Sequence, residues 1–261
     1  MLTVISPAKR LDETPAPIHA MTDPIWQDQA NTLAGHARQL TLKGLQDLMS
    51  ISPDLARLNR DRFRAFSPEA DTPGAKQAAL MFDGDTYTGL EANTLDADAM
   101  AFAQDRLRIL SGLYGLLRPL DRIQPYRLEM GSRLKTRRGT SLYDFWGDRI
   151  AKELTAQAGA LGTDTLVNCA STEYFTAAQT KALKLTVITP QFLDEKNGQM
   201  KMISFFAKRA RGAMARFIVE RRLTDPAGIM DFDTGGYVYD ASASTPEKPV
   251  FCRSEAAAQA A

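Results

Sequence analysis

The sequence predicts an α+β chain with one mixed sheet that takes strands from both chain ends, and helices around it. Three observations carry this. Strand-like apolar runs stand near the start (Leu2–Ile5), in the middle (Thr165–Cys169 and 185–189) and near the end (237–240 and Val250–Arg253). Helix-period segments separate them. Asn197-Gly198 lies between two strand-like segments, which is a strong short hairpin signal. With 261 residues, 44% of them hydrophobic and 24% charged, the composition is that of a soluble globular protein. No linker divides the chain, so one domain is expected over 1–261, with a frayed alanine-rich tail at 255–261. No apolar run approaches membrane-spanning length, and no positive segment precedes an apolar stretch at the start. A cytoplasmic location without membrane contact is expected.

The elements follow in order. Leu2–Ile5 reads as a buried strand that starts the fold. Trp26, Ala30, Leu33, Ala34, Ala37 and Leu40 recur at helical spacing behind the start signal Asp23-Pro24. Residues 45–59 read as two short helices joined by a tight turn. Leu45, Leu48 and Met49 form the apolar stripe of the first, and Leu55, Ala56 and Leu58 an apolar side of the second. Ser52 suits the N-cap and Pro53 the first turn of that second helix. Residues 67–74, with Pro68 and Pro73, form a loop. Residues 99–110 are helical by composition, and 142–154 are another helix anchored by Phe145, Trp146, Ile150 and Leu154. Gly112, Gly115, Pro119 and Pro125 exclude a long helix between these two. Residues 206–223 form a helix with Phe206, Ala210, Ala213, Met214, Phe217 and Ile218 on one arc.

The paired helices at about 42–64 resemble a helix-hairpin-helix DNA-binding element, with Ser50-Ile51-Ser52 where that motif carries Gly-h-Gly. The first N–H groups of the second helix have no helical acceptor, and the helix dipole adds positive character there. A phosphate satisfies both. Ile51 is expected to point inward while Ser50 and Ser52 face outward. An ordinary αα-hairpin that binds nothing is the plain alternative.

The net charge is +1, but it is segregated. Residues 201–222 hold seven basic residues against one acid, and 118–138 seven against two. On the helix, Lys208, Arg209, Arg211, Arg216 and Arg222 fall opposite the apolar arc, Arg221 lies inside it, and Gly212 marks a place where something approaches the backbone. Such clustering favours an anionic partner. Cys169 and Cys252 have no metal-type spacing, and His19 and His36 are far apart in sequence. No metal site and no cofactor are assigned. A carboxylate iron site stays open, without an EF-hand or HExxH pattern to support it.

Several strings resemble the YaaA family of bacterial peroxide-stress proteins. They are Ile5-Ser6-Pro7-Ala8-Lys9, Leu110-Ser111-Gly112-Leu113-Tyr114-Gly115, Leu117-Arg118-Pro119-Leu120 and Gln124-Pro125-Tyr126-Arg127-Leu128-Glu129-Met130-Gly131. Phe145-Trp146-Gly147, Glu173-Tyr174-Phe175, the run from Phe192 to Gly198 and Ala210-Arg211-Gly212 complete the set, while Thr172 stands where an acid is expected. The resemblance implies a family-specific fold, a cytoplasmic protein of the hydrogen peroxide response, a link to lowering free intracellular iron, and binding of double-stranded and branched DNA through a helix-hairpin-helix and a positive cleft.

The resulting expectation is structure-selective, largely sequence-independent DNA binding in protection or repair. Its contacts are Ser50, Ile51, Ser52, Arg118, Arg127, Lys208, Arg209, Arg211, Arg216 and Arg222. Tyr114, Tyr126 or Tyr174 could stack on an unpaired base. No obligate protein partner is inferred. The alternative is a glycosylase- or lyase-type enzyme on nucleotides or nucleic acid. There Lys9 is the candidate nucleophile, with Glu129, Asn168 and Ser171 lining the same pocket. That role requires a desolvated Lys9.

Overall fold

The computed structural model describes residues 1–16 and 20–260. His19 and Ala261 lie outside the described residues. The α+β class holds, but the strands divide into two main sheets. The central sheet contains β1 (Leu2–Ile5), β2 (Leu107–Ser111), β3 (Gly115–Leu117), β4 (Thr165–Cys169) and β5 (Thr186–Ile188) in the order β3-β2-β1-β4-β5. Every pairing is parallel except β2 with β3. The second sheet contains β6 (Gln191–Lys196), β7 (Gln199–Lys201), β8 (Val238–Tyr239) and β9 (Val250–Arg253) in the order β7-β6-β9-β8. The strand nearest the start and the strand nearest the end therefore do not share a sheet. β9 pairs in parallel with β6 instead, and antiparallel β7 beside β6 and β8 beside β9 form the two edges of that sheet.

The helices longer than four residues are α1 (Gln27–Arg38), α2 (Leu42–Met49), α3 (Pro53–Ala65), α4 (Asp85–Leu90), α5 (Ala97–Arg106), α6 (Leu142–Trp146), α7 (Arg149–Ala160), α8 (Thr172–Thr176), α9 (Ser204–Glu220) and α10 (Glu255–Ala260), and a single turn of helix stands at Ala78–Met81. Three expectations need correction. The helix expected over 99–110 ends at Arg106, and Leu107–Ser111 is strand β2. All five residues of β2 are buried, so no two-residue alternation betrays it. Arg108 is sealed there, and its guanidinium donates to the carbonyls of Gln104 and Asp105 at the negative end of α5 and to the Gln157 side chain. Burial pulls its pKa down to about 10. The helix expected over 142–154 breaks at Gly147, whose φ of 49° and ψ of −127° no α-helix accommodates. The tail is not frayed over its described part: Glu255 accepts from the Asn197 N–H at 2.8 Å, and Ala257 lies against Gly236.

α9 sets the architecture. It packs against α4, the central strands β1 and β4, and β6 of the second sheet. Ala207, Ala210, Gly212, Ala213, Met214, Ala215, Phe217, Ile218 and Val219 are all buried, which is more than one face of a helix. The approach at Gly212 is made by α4. A Cβ there would stand 1.7 Å from the Thr86 carbonyl oxygen, and one on Gly89 would stand 2.0 Å from that of Arg209. The two backbones touch, and only glycine permits it. The Asn197-Gly198 turn forms as expected, with both residues at positive φ.

Candidate functional site

The hairpin forms where the sequence puts it. Ser52 caps α3 by accepting from the Leu55 N–H at 3.3 Å, and Pro53 opens the helix. Ser50 takes the left-handed conformation, with φ 51° and ψ 53°. Ser50 and Ser52 are exposed, while Ile51 is half-buried against the core. The apolar side of α3 differs from the expected one. Ala56, Asn59 and Phe63 are buried at i, i+3 and i+7, leaving Leu55 and Leu58 in solvent at 40% and 45% exposure.

The expected basic contacts divide sharply. Arg118 is held by Asp121, which is fully buried, through Nε at 3.0 Å and Nη2 at 2.9 Å. Arg127 grips Glu129 through Nε and Nη2, both at 2.9 Å. Arg216 turns away from the solvent face and donates to the carbonyls of Leu90 and Glu91 at 3.1 and 2.9 Å, and to Glu220 at 2.7 Å. Arg222 lies beyond the end of α9 and faces Asp98 at 3.4 Å. Arg221, on the apolar arc, stacks on Phe217 at 4.3 Å. Arg118, Arg127 and Arg216 are thus engaged, whereas Arg221 and Arg222 stay exposed and loosely held. Arg209 is exposed, and among the described residues it has neither a hydrogen bond nor a carboxylate partner. The same holds for Arg133, Lys135 and Arg137, which share one loop.

Lys9, Ser171, Lys208 and Arg211 meet at a cavity of about 630 Å³ at the carboxyl ends of β1 and β4. In open parallel sheets this edge is where ligands bind. The register Ile5↔Cys169 brings the ends of β1 and β4 level, while β2 runs two residues past its Ile5↔Ile109 pair. The chain leaves β1 through Ser6-Pro7-Ala8-Lys9 and β4 through Ala170-Ser171. Ser6 joins the two exits: its Oγ accepts from the Ser171 N–H at 2.8 Å and donates to the Ser171 Oγ at 3.3 Å. Ser204, Ala207, Lys208 and Arg211 form the α9 wall, spaced as one helical face. Lys9 lies 3.5 Å from Glu129, and Lys208 lies 3.8 Å from Asp85. Arg10 is paired with Asp83 at 2.6 Å, and Glu173 accepts from the Gly131 N–H at 2.9 Å. Arg211 is half-buried beside Cys169, and among the described residues neither a carboxylate nor a hydrogen-bond acceptor meets it. Burial disfavours its charge and pushes the Cys169 thiol up to about 12.

The sequence comparison decides the family. Residues 1–243 match the family described as peroxide stress protein YaaA. The chain belongs to this family. A UPF0246 protein of Ruegeria pomeroyi is 64% identical over 256 residues, covering 97% of this chain and 98% of its own length. One of a Jannaschia species is 61% identical over 263 residues, with all of both chains covered. One of Roseobacter denitrificans is 60% identical over 257 residues, covering 97% and 98%.

Within this YaaA family member, Lys9 and Ser171 line the cavity, and Glu129 reaches it through Lys9. Lys9 is 67% exposed and stands beside a carboxylate, which is not the desolvated setting that a lysine nucleophile requires. One carboxylate oxygen of Glu129 is buried without a hydrogen-bond partner. Asn168 is spent on the fold: it accepts from the Ala170 N–H at 3.0 Å and is 6% exposed. Tyr114, Tyr126 and Tyr174 are 0%, 4% and 9% exposed, so none presents a ring for stacking on a base. Among the described residues no group of three His, Cys, Asp or Glu side chains is placed to hold a metal ion, and no helix is long and apolar enough to cross a membrane. Arg133, Lys135 and Arg137 escaped the residue-level reading. Their signal was available, because no acid occurs between Glu129 and Asp144.

Proposed function

We propose that this peroxide stress protein binds DNA directly, by its phosphates and with little regard to sequence. The observation that supports this reading is the set of exposed cations without carboxylate partners at Arg133, Lys135, Arg137 and Arg209. Three of them share one loop beside α2, the first helix of the hairpin, where Arg133 and Lys135 face Gly44 and Asp47 across a shallow cleft. Lys and Arg on a loop neutralise phosphates but carry no code for base edges. In this reading the hairpin amides at the start of α3 clamp one strand, and the loop and Arg209 hold further phosphates. Double-stranded and branched DNA are the proposed partners, and protection of DNA under peroxide is the proposed role. The link to free iron is carried over from the family resemblance alone.

The test is a salt titration of duplex binding. Replacing Arg133, Lys135 and Arg137 together with Ala should lower the slope of log K against log salt by roughly 3 units, about 0.9 per phosphate contact. Unrelated duplexes of equal length should lose affinity alike. Ser52→Asp should keep the α3 cap and weaken binding further. An unchanged slope in the folded triple variant removes the loop from the interface.

A further inference from the structure

The cavity between β1, β4 and α9 is too small for a duplex, yet its 630 Å³ is ordinary for a small-molecule site. Its electrostatics are one-sided in a specific way. Three carboxylates around it are paired with cations, Asp83 with Arg10, Asp85 with Lys208 and Glu129 with Arg127 and Lys9, while Glu173 accepts from a backbone N–H. Of the cations lining the cavity, Lys9, Arg10, Lys208 and Arg211, it is Arg211 that has no carboxylate partner. A half-buried guanidinium without an acceptor is a standing desolvation cost that an anion would relieve. Its planar fork suits a tetrahedral oxyanion bidentately. Two further cations flank it on weak tethers. Lys9 and Lys208 sit 3.5 and 3.8 Å from their carboxylates, with side chains 67% and 54% exposed, so both can swing toward a ligand. Ser171 also lines the space. On the same rim Met202 is 59% exposed, an apolar side chain that suits the face of a planar ring.

We propose that this cavity binds one phosphate monoester of nucleotide size, with Arg211 as the anchor of the phosphate, Lys9 and Lys208 closing over it, and the base against Met202. A phosphate monoester carries more negative charge than the diester of an internal DNA linkage, and an isolated guanidinium between two mobile lysines matches it. The site is separate from the duplex-binding loop and does not depend on it. Two sources share this chemistry, a free mononucleotide and the 5′-phosphorylated end of a strand.

The test is calorimetric titration of the full chain with 2′-deoxyadenosine 5′-monophosphate, inorganic phosphate and 2′-deoxyadenosine. The monophosphate should bind, inorganic phosphate should bind more weakly, and the nucleoside should not bind. Arg211→Met should weaken the monophosphate about tenfold or more, the worth of one charge-assisted bidentate contact. Lys208→Glu, on an exposed side chain that the core does not need, should weaken it several-fold and serves if Arg211→Met fails to fold. The Arg133, Lys135, Arg137 triple variant should bind the monophosphate as the parent does, which keeps this result distinct from duplex binding. A 5′-phosphorylated thymidine oligomer that displaces the monophosphate, where its 5′-hydroxyl counterpart does not, assigns the site to strand ends. Failure of both oligomers to displace it assigns the site to free mononucleotides. The proposal is overturned if the monophosphate gives no binding, if the nucleoside binds equally well, or if folded Lys208→Glu and Arg211→Met bind the monophosphate like the parent.

Discussion

The two basic segments look alike as charge counts and behave differently as structures. In 118–138 the pairing is half local, since Arg122 reaches Asp23 and Asp71 and Arg138 reaches Gln29. Arg118 finds Asp121 three residues on, Arg127 finds Glu129 two residues on, and the acid-free stretch after Glu129 leaves Arg133, Lys135 and Arg137 in solvent. In 201–222 the pairing is mostly distant. Arg216 bonds to carbonyls about 125 positions away, Arg222 faces Asp98, and Arg211 enters a cavity made by two strand ends. The difference teaches that a basic run is available to an anion only after its intramolecular partners are subtracted. Local partners can be subtracted from the sequence, whereas distant ones require the fold.

Five changes would break or sharpen that contrast. The largest effect belongs to Gly212→Ala, which drives a methyl into the Thr86 carbonyl and separates α9 from α4. It should cost about 3 kcal/mol or more, read by thermal or denaturant unfolding. A near-parental melting temperature would show that the helices are less closely packed than described. Asp121→Ala removes a buried carboxylate that accepts from the Arg118 backbone and guanidinium and from Thr22 at 2.6 Å. A loss of about 2–3 kcal/mol is expected. If stability were instead unchanged and DNA binding tightened, Arg118 would be a latent phosphate contact. Arg216→Ala gives up the carbonyl bonds that hold α9 to the end of α4, and about 1–2 kcal/mol should go with them. Duplex affinity should stay at the parental value, whereas Arg209→Ala should do the reverse.

The smallest effect concerns pH. Asp12 and Lys76 are another pair distant in sequence, at 3.1 Å with Lys76 buried. Hydrogen bonds from the Thr14 hydroxyl and N–H, and then Lys76, hold the Asp12 carboxyl down to about 2. A depressed carboxylate stabilises the folded state above its unfolded value of about 4 and loses that contribution as pH falls toward 2. Unfolding curves of the parent and Asp12→Asn should therefore differ at neutral pH and converge across this acid window. Curves that stay parallel down to pH about 2 would deny Asp12 the role.

Local signals alone determined the turn at Asn197-Gly198, the cap at Ser52 with Pro53 behind it, the buried strands β1 and β4, and the acid-free stretch after Glu129. Each depends on residues within a few positions of one another, so a short window contains its physics. Tertiary structure decided the rest. Composition predicts helix through Leu110, because a strand buried on both faces, as β2 is, shows no alternation. Leu55 and Leu58 seemed core-facing until α3 turned Ala56 and Phe63 inward. The arc of α9 seemed free until α4 came against Gly212 and Arg216 found its carbonyls. The cavity itself was legible only as scattered residues, Lys9, Ser171, Lys208 and Arg211. They meet because parallel pairing of β1 with β4 levels two strand ends more than 160 residues apart, a relation that long-range hydrogen bonding sets and no local pattern records.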